Sequence, residues 1–169
     1  MLNIYKYSES FPSLFQKEKD KLKKILGDVC LIEHIGSTAI DGVDGKGVID
    51  IMLIYEKQDD IEIIINLLQK NGYYLANDKA DRKGRTFMSS GGTKESDFGD
   101  IHLHLTIKDN ETYLNAILFR DYLIKHPKEK KEYINLKYQL LESVEGDRKK
   151  YTKSKSDFIE KIIDLAKKS

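Results

Sequence analysis

Apolar residues recur at intervals of three, four and seven over the first part of the chain, at Phe11, Leu14, Phe15, Leu22, Ile25 and Leu26, and Gly27 follows where a helix would stop. That spacing lines one face of a helix over 11–26. Residues 29–35 are rich in β-branched side chains and close on Gly36, and 48–55 is almost wholly apolar, as expected of a strand covered on both faces. Asp59 and Asp60 suit the start of a helix over 61–70, which Asn71-Gly72 ends. Short strands are predicted at 73–75 and 86–88 and a longer one at 100–107, the last two joined by a polar, glycine-dotted connection. Asn110 caps a helix from 111 to about 125, Pro127 opens another to about 142, and a last helix covers about 152–167. The pattern predicts an α/β fold in one domain: a mixed sheet with flanking helices over about 1–108, and a helical segment over about 110–168 folded on the same core.

Composition sharpens this picture mainly by exclusion. With 169 residues the chain can bury about 70% of its unfolded surface and should fold alone. A net charge of +1 argues against a binder of large nucleic acids, which needs a field of one sign, and the ten Tyr and six Phe are not interleaved with a basic stripe. The charge is nonetheless divided. Residues 121–169 hold 13 Lys/Arg against 9 Asp/Glu, a balance of +4, which leaves −3 on residues 1–120. The lone Cys30, within an apolar run, reads as a small hydrophobe and not as half of a disulfide. With no signal-peptide pattern and no run of about 18 apolar residues, a cytoplasmic protein without a membrane partner is expected.

Gly36-Ser37-Thr38 lies between a strand and a turn or short helix, where backbone amides and two hydroxyls can meet an anion. Thirteen residues beyond Ser37 comes Asp50, inside an apolar strand. An unpaired carboxylate there is costly or is driven neutral, so a metal ion or a basic side chain is expected beside it. A glycine-serine turn followed by an acid on the next strand is the general plan of nucleotidyl transfer, in which the turn holds a triphosphate and carboxylates hold two Mg²⁺ ions. That plan wants a second acid at i+2, on the same strand face, and Met52 stands there. An ordinary buried acid paired with a lysine explains Asp50 equally well.

Asp100, His102 and His104 alternate with apolar residues, so one strand face carries the acid and both imidazoles. Two imidazoles about 7 Å apart along a strand can converge on one metal, and a histidine can act as a general base near neutral pH. The polar face of an edge strand gives the same alternation. Glu33 and His34 add further donors just before the turn. The catalytic candidates are therefore Asp50 and His104, and the metal candidates are Asp50, His102, His104 and Glu33, with Mg²⁺ or another divalent ion as the expected cofactor. Basic groups stand at Lys46, Arg85, Arg120, Lys137, Arg148-Lys149-Lys150, Lys153 and Lys155. If the helices fold over the strand ends, some of these face the turn and neutralise phosphate, whereas others are simply solvated. Candidates for a nucleotide or small phosphorylated metabolite are Gly36, Ser37, Thr38, Lys46, Arg120, Lys137 and Lys155. No Walker loop, Gly-x-Gly-x-x-Gly or Gly-x-Ser-x-Gly motif is present.

Ile32-Glu33-His34-Ile35-Gly36-Ser37-Thr38-Ala39-Ile40, then Gly42-Val43 and Val48-Ile49-Asp50-Ile51, resemble the hallmark segment of the bacterial GrpB family. The resemblance continues in His102-Leu103-His104, Phe119-Arg120-Asp121-Tyr122-Leu123, His126-Pro127, Tyr133, Leu136-Lys137 and Tyr151-Thr152 with Lys155, over about residues 20–165. It implies a nucleotidyltransferase-like α/β fold and, in some bacteria, a link to dephospho-CoA kinase, but no settled reaction. It leaves two expectations side by side: a metal-dependent nucleotidyltransferase, or a noncatalytic nucleotide-binding or accessory module. The prolines expected of the family after Ile40 and Lys46 are Asp41 and Gly47 here, which loosens the connection.

Overall fold

The structure, a computed structural model, describes residues 4–75, 85–90, 101–143 and 148–169. Five strands, β1 (Cys30–Ile35), β2 (Ile49–Tyr55), β3 (Tyr74–Leu75), β4 (Arg85–Ser90) and β5 (Ile101–Ile107), form one mixed sheet in the order β1-β2-β5-β4-β3. The β2–β5 pairing is parallel and the others antiparallel. Helices α1 (Phe11–Leu26), α2 (Asp60–Lys70), α3 (Glu111–Lys125), α4 (Pro127–Ser143) and α5 (Arg148–Ala166) complete the fold, with one 3₁₀ turn over Ser37–Ala39.

The helix ends follow local chemistry. Pro12 occupies the first turn of α1, and Gly27, at φ +62°, closes the helix with its N–H on Lys23 O. The Asn110 side chain accepts from Thr112 N–H at the start of α3. Two boundaries differ from expectation. β4 runs over six residues because its ladder with β5 continues to Ser89 and Ser90, whose hydroxyls hide the strand in the sequence. α5 starts at Arg148, four residues early, since Arg and Lys favour helix and Thr152 is tolerated inside it. Asp100 and the connection over 91–99 lie outside the described residues, as do the side chains of Arg85, Arg148, Lys149 and Lys150.

The parity of each strand sorts its side chains onto two faces. Ile49, Ile51, Leu53 and Tyr55 of β2, with Leu103 and Leu105 of β5, face α1 and α2 and build the main core around Leu22, Ile64, Leu68 and Tyr73. On the other face Ile35, Met52 and Ile54 lie under Tyr113, Ala116 and Ile117 of α3. A third cluster joins Ile40 and Val43, from the loop after the 3₁₀ turn, to Phe119, Leu123, Tyr133, Ile162 and Ile163 of α3, α4 and α5. The helical segment is thus fastened to residues 36–48, the connection that holds the glycine-serine turn.

Candidate functional site

Asp50, second residue of β2, shares its face with Met52, and the parallel register sets His102 directly beside it. His104, one alternation further along β5, reaches back diagonally. Its Nε2 lies 3.0 Å from Asp50 Oδ1, and His102 Nδ1 lies 3.5 Å from the same oxygen. Burial would raise the Asp50 pKa, but hydrogen bonds and charge from the two imidazoles outweigh it and hold the carboxyl well below the usual carboxylate range. Phe87 of β4 turns its ring edge-on to both histidines, with centroids 5.0 and 5.3 Å away, and walls the cluster on one side. His104 Nδ1 is buried without a hydrogen-bond partner among the described residues.

Gly36 leads out of β1 at φ +75°, and a Cβ there would stand 2.6 Å from Asp50 Oδ2. Only a glycine lets the backbone pass so close to the carboxylate. The turn that follows is tied from behind. Thr38, which is buried, donates through Oγ1 to Val48 O at 3.1 Å, so its hydroxyl accepts from His34 Nε2 at 3.0 Å. His34 sits on the α1 face of the sheet, stacked on Phe15, and does not join His102 and His104. Burial is the main cause that lowers its pKa to about 4, with Arg120 adding and Asp50 opposing.

This buried imidazole has a consequence for acid stability. The folded state binds the His34 proton more weakly than an unfolded chain, whose imidazole titrates near 6.5, so the stabilisation is complete above that value and is lost as pH falls towards about 4. Denaturant unfolding of wild type and His34→Gln between pH 7.5 and 4 should show the wild type losing stability faster over that window. Parallel curves would contradict a buried neutral His34.

A second group surrounds Gly45, in the loop after the turn. A Cβ on Gly45 would collide with Ser37 Oγ and lie 3.7 Å from Lys137 Nζ, so serine and lysine both close on this glycine of the loop. Lys137, from α4, is only 3% exposed, donates to Asp44 O at 2.5 Å and lies over the Tyr133 ring at 4.4 Å. Burial, followed by the charges of Lys155 and Lys46, brings its pKa down to about 7, with Asp44 pulling the other way. The Asp44 carboxylate is itself engaged by Lys6 Nζ at 3.0 Å, Tyr7 N–H at 2.9 Å and the Tyr138 hydroxyl at 2.8 Å.

The remaining sequence candidates take other places. Arg120 of α3 bonds Glu33 at 2.8 Å, Asp121 at 2.7 Å and His34 O at 2.8 Å, which docks α3 on β1. Glu33 is thereby held by Arg120, one strand beyond the Asp50 cluster. Asp44 and Phe87 were not singled out in the sequence: an acid in a Val-Asp-Gly turn and an aromatic in a short strand carry no motif.

These residues do not fit a resident two-metal centre. Met52 fills the place of the second strand acid and is fully buried. Asp50 Oδ1 is shared between two imidazole nitrogens, and among the described residues no three His, Cys, Asp or Glu side chains are disposed to hold an ion.

Comparison with known proteins supplies the evolutionary frame. The family model described as GrpB protein matches residues 1–165. The glutamate-rich protein GrpB of Alkalihalophilus pseudofirmus is 34% identical over 93% of this chain and 91% of its own. YqkA of Bacillus subtilis is 30% identical over 99% of this chain, which spans only 48% of that protein. The crystal structure of GrpB from Enterococcus faecalis superposes with a TM-score of 0.83 at 30% identity, covering 97% of this chain and 96% of that one. The Cid1 poly(U) polymerase, in a mutant crystallised with MgATP, shares the fold at a TM-score of 0.53 and 15% identity over 76% of this chain and 42% of its own. Among the described residues no helix is long and apolar enough to cross a membrane.

Proposed function

The chain belongs to the GrpB family and has a nucleotidyltransferase-like fold, and from that premise we propose that it binds the phosphate tail of a nucleotide or small phosphorylated metabolite at the glycine-serine turn. The observation that carries this reading is the convergence of Ser37 Oγ and buried Lys137 Nζ around Gly45, within the field of Lys46 and Lys155. A hydroxyl, a buried cation and two further cations beside a turn form an anion site, because charge-assisted hydrogen bonds strengthen where water is excluded. Asp50 lies against Gly36, at the start of the same turn. A lone carboxylate suits a Mg²⁺ or Mn²⁺ ion carried in on the phosphates, since such ions keep their waters and use one or two protein acids. His104, bonded to Asp50, is the candidate base if a nucleotidyl group is transferred.

Thermal-shift and calorimetric titration with the four nucleoside triphosphates, with and without Mg²⁺ or Mn²⁺, tests the reading. At a hundredfold excess over Kd the ligand adds about 2.7 kcal/mol, which for a chain of this size raises Tm by about 5–10 °C. Ser37→Ala should weaken binding about tenfold, the loss of one hydrogen bond to a charged group. Absence of any shift at millimolar nucleotide under all these conditions refutes it.

A second reading, a binding module without chemistry that serves another enzyme, such as one of coenzyme A synthesis, is favoured by Met52 in the place of the second acid. The two separate on pyrophosphate release: turnover that vanishes in Asp50→Asn while nucleotide binding persists identifies an enzyme, and binding with no turnover identifies the module.

A further inference from the structure

Among the described residues, no carboxylate oxygen meets the ammonium group of Lys137, beside the loop that follows the turn. Lys137 of α4 is buried against the loop, Lys155 of α5 and Lys46 of the loop repel its charge, and the Tyr133 ring lies under both helical lysines. Asp44, whose carboxylate pulls on the Lys137 charge, turns that carboxylate to Lys6, Tyr138 and the Tyr7 amide, so Lys137 receives the Asp44 carbonyl and not its charge-bearing oxygens. A buried ammonium held by a carbonyl and an aromatic face, with two cations nearby, is poorly compensated, and the proton is the easiest component to lose. A phosphate bound at Ser37 Oγ would bring negative charge close to Lys137 Nζ, since both atoms flank Gly45.

Resting on the reading of this turn as a phosphate site, we propose that ligand binding and protonation of Lys137 are one event: the chain takes up a proton from solvent on the Lys137 amine as the phosphate enters. The amine lone pair gains the proton, the N–H donors point at the anion, and no other bond is made or broken. Lys137 then acts as a specificity residue for multiply charged phosphate tails, because only they repay the buried charge. It also makes affinity fall as the medium becomes alkaline. Burial and the neighbouring lysines hold the free amine near pH 7, and a bound phosphate raises that value. Linkage then gives an association constant that is flat below about pH 7 and falls about tenfold per pH unit above it, up to the pKa of the complex.

The experiment is calorimetry of ATP binding to the full chain, with chelator present to remove metal ions. At pH 8, where phosphate is fully ionised, titration in HEPES and in Tris, whose ionisation enthalpies differ, should report uptake of about one proton per ATP. Affinity should fall about tenfold between pH 7.5 and 8.5. Lys137→Arg, permanently charged, should bind with no proton uptake and a flat profile over the same range. Should that variant not fold, the two-buffer comparison on wild type alone decides. Binding with no buffer dependence overturns the inference and leaves the phosphate site standing. If ATP binds only once Mg²⁺ is restored, the same two-buffer titration is read with Mg²⁺ present, and no binding at pH 6.5 with or without Mg²⁺ overturns the phosphate site itself.

Discussion

Gly36→Ala is expected to cost about 3–4 kcal/mol of stability, a drop in Tm on the order of 10 °C, and to weaken nucleotide binding at least tenfold at temperatures where the variant is folded. Two independent effects sum in it. Gly36 lies at φ +75°, ψ −171°, a region nearly closed to residues with a Cβ, and strain there is about 1–3 kcal/mol. The new methyl would also stand 2.6 Å from Asp50 Oδ2 and 3.1 Å from its Cβ. Asp50 cannot swing aside freely, since its other oxygen is shared by His102 and His104. Either the turn or the carboxylate must move. Gly27→Ala supplies the control, because Gly27 has φ +62° with nothing within 4 Å of its missing Cβ. With ψ −136° Gly27 lies in a similarly glycine-favouring region, so this variant should lose only the strain, about 1–3 kcal/mol, and less than Gly36→Ala. Equal losses at the two glycines, measured by urea denaturation, would show that Gly36 does not press on Asp50.

The second large effect is at Asp50. Asp50→Asn keeps the shape of the side chain but removes the charge that two imidazoles share, and should destabilise the chain by about 2–3 kcal/mol at pH 7. That is below the about 3–5 kcal/mol seen when fully buried pairs are broken, because the Asp50 side chain retains 27% exposure. Since the folded Asp50 carboxyl titrates far below its ordinary value, its stabilisation is complete above about pH 4 and is lost as pH falls through the folded value. The advantage of wild type over Asp50→Asn should therefore hold while the carboxyl is ionised and close in acid below about pH 4. A wild-type advantage that does not shrink between about pH 4 and pH 2 would mean that the fold does not hold the Asp50 carboxyl in its charged form. The same variant should abolish any pyrophosphate release, so stability and turnover are read from one protein.

Much of the architecture was legible because it rests on local periodicity. The three-four-seven spacing of Phe11 to Leu26 marks α1, the apolar run ending at Tyr55 marks β2, and Gly27, Asn110 and Pro127 punctuate helices for reasons internal to the backbone. Strand parity likewise put His102 and His104 on one face. What parity does not contain is which strand lies alongside: Asp50 and His102 are 52 residues apart in the chain, and the parallel β2–β5 pairing makes them neighbours. His34 shows the same limit from the other side. Four residues from Thr38 and beside Glu33, it reads as one more ligand, yet its parity on β1 sends it to the α1 face.

Charge pairing was harder still to read, because it depends on how the helical segment docks. Arg120 is a phosphate candidate by sequence, and α3 instead lays it across Glu33 and the His34 carbonyl. Lys137 is one lysine among many until α4 packs on the loop and buries it beside Ser37 and Asp44. The sequence by itself determined the elements, the family and the glycine-serine turn with its following aspartate, since each is written in contiguous residues whose backbone preferences are local. The tertiary structure alone decided that Asp50 is shared by two imidazoles, that Glu33 belongs to Arg120, and that Lys46 of the loop and Lys155 of α5 bear on the buried amine of Lys137 in α4. Electrostatic energy depends on distance and burial, and neither exists until strands pair and helices close over them.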